Sequence, residues 1–233
     1  MPGGVLLLPG IVAFPITMAL HFLDENLWFP PVTEALEDGL LALGGDLSTE
    51  RLLLAYRSGI FPWFNEEDPP LWWSPDPRFV LFPGEIKISK SMKQILKSGK
   101  FQFTTNTAFQ EVITHCKNTY RPGQGGTWIT DEIVESYRTL HERGYVHSAE
   151  AWLDGQLVGG LYGVRLGNVF FGESMFSHKS NASKFAFLQL VALLHTNGVE
   201  LIDCQVYTPH LESLGARMIA RTDFIKMIDE FAV

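Results

Sequence analysis

Two polar residues stand inside an otherwise apolar run near the C-terminus. Asp203 and Gln205 are separated by one residue within 201–206, LIDCQV. On a β-strand, residues i and i+2 point to the same face, so the carboxylate and the amide are expected side by side. Burying two such groups costs free energy unless they are paired. The pair fits either a carboxylate–amide unit that orients or deprotonates an attacking nucleophile, or a paired structural element at the end of a sheet.

Other common chemistries find less support in the sequence. Cys204 should point to the opposite face of the same strand, and we interpret it as a small buried residue, because a catalytic thiol needs an accessible thiolate and a histidine partner. The seven histidines form no metal-ligand spacing, so no metal site is expected. The segment 121–126, RPGQGG, lacks both the G-K-[ST] of a P-loop and the R/Q-x-x-G-x-G/A of an acyl-CoA site, and a flexible loop is favoured.

Aromatic and basic residues in the middle of the chain suit contact with a nucleic acid. Residues 71–130 hold three acidic and eight basic side chains, a net charge of +5, although the whole chain carries −8. A helix predicted over 89–100 places four lysines on its polar side: Lys90, Lys93, Lys97 and Lys100. Contact with phosphates and a merely solvated helix face remain equal alternatives for these lysines. Four tryptophans are candidates for base stacking, although most are expected to be packed: Trp63, Trp72, Trp73 and Trp128.

The flanking sequence predicts the elements that position the strand of Asp203. Three runs joined by tight turns at Asp154-Gly155 and Gly167-Asn168 predict an antiparallel meander. A helix over 181–195, apolar on nearly every side, is expected to be buried before the strand 199–206. Further helices are predicted over 47–56, 131–143 and 222–231. Together these elements predict an α+β fold with a mostly antiparallel central sheet.

The proline- and aromatic-rich segment 61–79 is expected to be irregular and rigid, and to join two domains. We assign residues 1–70 to a small N-terminal domain that includes an apolar leader, and residues 71–233 to a larger C-terminal domain. The leader, 1–23, carries no charged side chain, but Pro9 and Pro15 interrupt it and no basic n-region precedes it. We therefore expect neither a signal peptide nor a membrane span, and place the natural start at Met18.

Composition sets the class of protein. The chain has 233 residues, 46% of them hydrophobic and 19% charged, which excludes a mainly disordered protein. Its two cysteines cannot build a disulfide framework, and a reducing compartment, the cytoplasm, is expected.

An ordered set of motifs resembles the leucyl/phenylalanyl-tRNA–protein transferase family. The motifs run from about residue 39 to residue 216. They are GLLALGGDLS, LLAYRSGIFPWF, WWSPDPR, GTWI, GGLYGV, GESMFS, NASK, LIDCQV and HLESLGA. The resemblance implies an acetyltransferase-like (GNAT) fold in the C-terminal domain.

The same resemblance implies roles for individual residues. Asp203 and Gln205 would act at the catalytic step, and Trp63 and Trp128 would hold the 3′-terminal adenosine of tRNA by stacking. Glu173 would meet either the ammonium group of the donor residue or the cationic acceptor. The lysines of 89–100 would contact the tRNA backbone. An apolar pocket for the aminoacyl side chain would be formed by Leu161, Phe170, Met175, Phe187, Leu190 and Ile202.

The reaction implied by the resemblance is transfer of Leu, Phe or, less readily, Met from tRNA to the N-terminal Arg or Lys of an acceptor protein. The product would enter the N-degron degradation pathway. No cofactor is needed because the ester is already activated, and a monomer without membrane partners is expected. Two alternatives remain open at this point, an acyl-CoA-dependent N-acetyltransferase of the same fold and a non-catalytic RNA- or peptide-binding module.

Overall fold

A computed structural model describes residues 20–119 and 127–232. The expected start at Met18 and the glycine-rich segment 121–126 lie outside the described residues, as does most of the leader. Its last three residues are part of the fold, because they form the first strand, β1 (His21–Leu23).

The N-terminal part of the chain builds a small four-stranded sheet in the order β1-β2-β4-β3. The other strands are β2 (Leu40–Gly44), β3 (Phe61–Pro62) and β4 (Leu71–Trp73). The expectation that 61–79 is irregular is therefore wrong in part, since β3 and β4 pair within it. Pro62 is tolerated because β3 lies at the edge of the sheet, where a strand does not need every N–H.

The larger sheet has seven strands in the order β11-β5-β10-β9-β8-β7-β6. The predicted meander is confirmed as three antiparallel strands, and β10 lies parallel to β9 on one side and antiparallel to β5 on the other. The strands are β5 (Arg78–Leu81), β6 (Gln102–Thr105), β7 (Val146–Leu153), β8 (Gln156–Leu166), β9 (Val169–Ser177), β10 (Leu201–Gln205) and β11 (Arg217–Ile219). The α+β class is confirmed.

The predicted helices are present, and three of them begin with a hydroxyl that caps the first turn. The oxygens of Ser48, Ser89 and Thr130 accept hydrogen bonds from backbone N–H groups three residues later. The helices are α1 (Thr49–Arg57), α2 (Lys90–Lys97), α3 (Phe109–Lys117), α4 (Asp131–Glu142), α5 (Ala182–Thr196), α6 (Pro209–Ser213) and α7 (Arg221–Phe231). None of the helices in the described ranges has the length and apolar character needed to cross a membrane.

Helix α5 packs closely on the large sheet, as its apolar sequence predicts. The close approach depends on Gly159 in β8, where a Cβ atom would stand 2.6 Å from the Cβ of Ala182. Helices α3 and α4 contribute to the other hydrophobic cluster, which also contains the core of the small sheet. The sheet is thus covered on both faces, and the ends of β9 and β10 lie between these layers.

Candidate active site

A cavity of about 350 Å³ lies where the small sheet meets the middle of β8 and β9 and the C-terminal end of β10. Its walls come from β3 and the residue after it, from the segment before α4, from these three strands, and from α5 and α6. The lining is mostly apolar, with a few polar groups from β9 and β10. It comprises Phe61, Pro62, Trp63, Trp128, Leu161, Tyr162, Gly172, Glu173, Ser174, Met175, Phe187, Ile202, Asp203, Cys204, Gln205, Val206, Thr208, His210 and Leu211.

Asp203 is fully buried and is held by an arginine from the neighbouring strand β5. Nε of Arg78 donates to Oδ1 of Asp203 at 2.9 Å, and Nη2 donates to Oδ2 at 2.7 Å. Both side chains are at most 1% exposed. A bidentate pair of this kind fixes the plane of the carboxylate as well as its position.

Gln205 leaves the regular strand immediately after Asp203. The register with β5 shifts between these two residues, and Gln205 has φ of +63°. Its backbone N–H donates to Oδ1 of Asp203 at 2.9 Å, which holds this left-handed conformation. The Gln205 amide then donates through Nε2 to Oε1 of Glu173 at 2.9 Å. The two predicted catalytic residues are thus in contact, and the irregular backbone joins them.

Glu173 is the centre of a polar network at the cavity wall. The hydroxyl of Tyr56 donates to its Oε1 at 2.9 Å, and that of Tyr137 donates to its Oε2 at 3.0 Å. The two hydroxyls also contact each other. Burial raises the pKa of Glu173 to about 7, against these hydrogen bonds, which favour the charged form. Burial also raises the pKa of both tyrosines, which remain neutral donors.

Cys204 packs against the hydrophobic cluster that includes Ile202 and α5, on the opposite face of β10 from the Asp203–Arg78 pair, as the strand alternation predicts. Residues of both faces of this strand line the cavity, and Cys204 is one of them. Its side chain is half-buried. Burial, and then the charge of Asp203, raise the pKa of the Cys204 thiol, so the thiolate that a nucleophile requires is disfavoured.

Five of the seven residues expected at the aminoacyl pocket line the cavity: Leu161, Glu173, Met175, Phe187 and Ile202. Phe170 and Leu190 do not. Phe170 is fully buried in β9, where its ring covers Gly163 of β8. Leu190 lies one helical turn beyond Phe187 on α5 and is buried in the core. The cavity reaches only the first half of α5, which explains both differences.

The tryptophans fall into two groups. Trp63 and Trp128 line the cavity, and Trp63 is 39% exposed. Trp72 is fully buried, and its indole N–H donates to the carbonyl of Gly44 at 2.8 Å. Trp73 packs beside Trp63 with ring centroids 5.9 Å apart and donates to the Trp63 carbonyl at 2.6 Å. Two of the four tryptophans are therefore placed to meet a ligand.

The four predicted lysines lie outside the cavity lining. Lys90, Lys93 and Lys97 are on α2, but Lys100 follows it, because the helix ends earlier than predicted, at Ser98 and Gly99 with φ of +67°. All four are exposed, while Met92 is buried against the core that includes α5. The amphipathic character predicted for this helix is confirmed, and its basic side faces solvent. Among the residues that the structure describes, no group of three or more His, Cys, Asp or Glu side chains is arranged to hold a metal ion.

Several residues of the site were not predicted from the sequence. Among them are four polar ones, Arg78, Tyr56, Tyr137 and His210. His210 lines the cavity, and its Nε2 is buried without a hydrogen-bond partner in the described part of the chain. Burial, and then Lys184, lower the pKa of His210 and favour the neutral imidazole. A signal for Arg78 was available, since it ends the motif WWSPDPR, but its partner is 125 residues away.

An apolar cavity that ends in amide, carboxylate and phenol groups suits an acyl-transferring enzyme, which must hold an acyl side chain beside an attacking amine. Models of the leucyl/phenylalanyl-tRNA protein transferase family match residues 80–229, and a model of that family's N-terminal domain matches residues 45–76. The chain therefore belongs to the leucyl/phenylalanyl-tRNA–protein transferase family. It is an aminoacyltransferase, and both alternatives left open by the sequence are set aside.

Individual relatives support this assignment. The leucyl/phenylalanyl-tRNA–protein transferase of Flavobacterium johnsoniae is 56% identical over 209 residues, covering 90% of this chain and 99% of the relative. That of Syntrophus aciditrophicus is 60% identical over 206 residues, covering 88% and 86%. Similarity to solved structures is weaker. A GCN5-related N-acetyltransferase-like protein from Streptococcus suis aligns with a TM-score of 0.36 and 13% identity, over 69% of this chain and 59% of that one.

Proposed function

We propose that the enzyme transfers Leu, Phe and, less readily, Met from aminoacyl-tRNA to the N-terminal Arg or Lys of acceptor proteins, and so marks them for N-degron degradation. Transfer from tRNA to protein follows from the family. The donor and acceptor preferences are our proposal. The observation that supports it best is the apolar cavity with the Gln205–Glu173 contact at its wall.

The transfer reaction needs little chemical assistance from the protein. The α-amine of the acceptor attacks the carbonyl carbon of the aminoacyl ester, a C–N bond forms, the C–O bond to ribose breaks, and the ribose hydroxyl leaves with a proton. An α-amine has a pKa of about 7.7–8.0, so much of it is neutral at cellular pH. Asp203 and Gln205 are the proposed catalytic pair, in which Gln205 orients the reacting groups and Asp203 holds Gln205 in place.

The two ends of the donor would occupy different parts of the cavity. Leu161, Met175, Phe187 and Ile202 would contact the aminoacyl side chain, and Glu173 would accept hydrogen bonds from its ammonium group. An apolar pocket discriminates by only about 1–3 kcal/mol per methylene, which agrees with tolerance of Leu, Phe and Met. Trp63 and Trp128 would stack on the terminal adenosine, because an aromatic side chain can stack on any base.

The exposed lysines Lys90, Lys93, Lys97 and Lys100 would contact the tRNA backbone, because their charges are exposed to solvent on α2 and just after its end. Such contacts add affinity without reading bases. We further propose two functional parts, 1–70 and 71–233, that act together in a monomer, with β4 at the start of the second part completing the small sheet of the first. Charged tRNA is the substrate, so the cytoplasm is the proposed location.

A transfer assay tests the proposal. Purified protein is mixed with tRNA carrying labelled Leu, Phe or Met and with peptides that begin with Arg, Lys or Ala but are otherwise identical. Label is expected on the Arg and Lys peptides alone. Equal label on the Ala peptide would refute the acceptor preference. Asp203→Ala should keep tRNA binding and lose turnover, and a fully active variant would refute the role given to Asp203.

A further inference from the structure

We propose that Arg78 is a positioning residue of the transfer reaction, which holds Asp203 and, through it, the backbone conformation that aims the Gln205 amide into the cavity. The inference rests on the proposed role of the Asp203–Gln205 pair. It adds a residue that touches no substrate and belongs to a different strand.

The first link of this chain of contacts is the bidentate pair. Both oxygens of Asp203 are engaged by Arg78, at 2.9 and 2.7 Å, and Oδ1 also accepts the N–H of Gln205. These three hydrogen bonds occupy both lone pairs of Oδ1 and one lone pair of Oδ2. A carboxylate held in this way is suited to fixing the position of its neighbours.

The second link is the packing of the guanidinium. Its carbon Cζ lies 4.7 Å from the ring centroids of both Phe61 and Phe224, so it is held between two aromatic faces. Nη1 has no hydrogen-bond partner within the described ranges. Nε and Nη2 each donate to Asp203, so the guanidinium is oriented by the carboxylate as well as by the two rings. Phe61 also forms part of the cavity wall, so this packing connects the small sheet to the reacting end of the cavity.

The third link is the strained residue itself. Gln205 has φ of +63°, a conformation that side-chain-bearing residues rarely adopt unless neighbouring groups enforce it. The enforcing contact is Asp203 Oδ1, and beyond it the Gln205 amide reaches Glu173. A contribution to stability does not by itself explain a buried ion pair, since well-packed apolar residues can often replace such a pair without loss of stability. Fixed geometry at Gln205 is what the pair supplies.

The test compares two buried arginines. Arg78→Lys keeps the charge but loses the fork, and Arg51→Lys makes the same change at a fully buried arginine that binds the carbonyls of Asp24 and Asn26, outside the cavity. For each variant, kcat, KM for charged tRNA and the thermal unfolding midpoint are measured. Arg78→Lys should lower kcat about tenfold or more with KM within about threefold, whereas Arg51→Lys should lower the midpoint and keep kcat within about twofold.

Several outcomes would overturn the inference. A folded Arg78→Lys variant with kcat within about twofold of wild type would do so directly. Asp203→Asn separates the two proposals: if it keeps full turnover, the role given to the Asp203–Gln205 pair fails, whereas loss in Asp203→Asn with none in Arg78→Lys removes Arg78 alone. The double variant Arg78→Lys/Asp203→Asn should have a kcat no lower than that of Asp203→Asn, because both changes break the same chain of contacts. If the two losses in kcat multiply, Arg78 and Asp203 act independently of each other.

If Arg78→Lys does not fold, a second variant tests the role of Arg78. Phe224→Leu removes one aromatic face from the guanidinium, lies in α7 away from the cavity lining and leaves the ion pair chemically intact. We expect kcat to fall about threefold or more with KM unchanged. An unchanged kcat in folded Phe224→Leu would contradict the inference.

Discussion

Replacing Glu173 with glutamine should remove a large part of the pH dependence of folding. In the folded protein the pKa of Glu173 is raised to about 7 by burial, from an ordinary value of 4.5. Between these two values the native state holds a proton that the unfolded chain has lost. The free energy of unfolding therefore falls as the pH rises through this range, and the contribution is gone above the folded pKa.

The size of the effect follows from the two pKa values. Between pH 5 and pH 8 the linkage relation gives a loss of about 2 to 3 kcal/mol in the free energy of unfolding from this one group. Glutamine has nearly the shape of the protonated acid and does not titrate. The difference between wild type and Glu173→Gln should therefore change by about 2 to 3 kcal/mol over this interval, in the direction that favours the variant at pH 8.

Urea unfolding at both pH values measures this difference, since other titrating groups are common to the two proteins. Tyr137→Phe is the matched control, because it removes one hydrogen bond that lowers the pKa of Glu173 but keeps the carboxyl group. It should steepen the pH dependence and not abolish it. If wild type and Glu173→Gln differ by the same amount at both pH values, burial does not control this carboxyl and the reasoning is refuted.

Three further predictions concern substrate binding. Trp128→Ala should raise KM for charged tRNA by about tenfold or more through lost stacking, while Trp28→Ala, outside the cavity, should leave it unchanged; equal effects would refute the stacking role. Lys93→Ala should reduce the slope of log affinity for tRNA against log salt concentration by about one. Lys226→Ala, at an exposed lysine on α7, is the control. An equal reduction in both variants would mean that the lysines attract tRNA nonspecifically. Leu161→Phe should narrow the cavity and shift the ratio of kcat/KM from Phe toward Leu donors by about tenfold, and an unchanged ratio would show that Leu161 does not contact the donor side chain.

The elements of the fold were predictable where one local pattern decides the structure. The alternation of apolar and lysine-bearing sides indicated α2, and the turn at Asp154-Gly155 indicated the meander. The short strands of the small sheet were not, because β3 has two residues and β4 has three. Strands of that length carry no periodicity, and their pairing is set by partners elsewhere in the chain.

The site was predictable in composition and not in geometry. Alternation along β10 correctly separated Cys204 from Asp203, but it did not show that Gln205 meets Asp203 through its backbone N–H and directs its side-chain amide to Glu173, because a backbone irregularity has no signature in residue types. Arg78 and Tyr137 were missed for a related reason. Each acts on a residue of a distant element, and a single sequence contains no measure of that proximity. Phe170 and Leu190 are apolar, as the residues of such a pocket should be, but the cavity does not extend far enough to reach them.

The position of β10 in the large sheet has a consequence for the biosynthesis of the enzyme. This strand lies between β5 and β9, and its partner Arg78 is made 125 residues before Asp203. Contacts of such long sequence separation form late, because the chain must first close a large loop. The ribosome must therefore synthesise at least the first 205 residues before Gln205 and Glu173 can meet. A nascent chain that has not reached β10 lacks this strand beside β9, so the polar network at the cavity wall is completed only after β10 has been made.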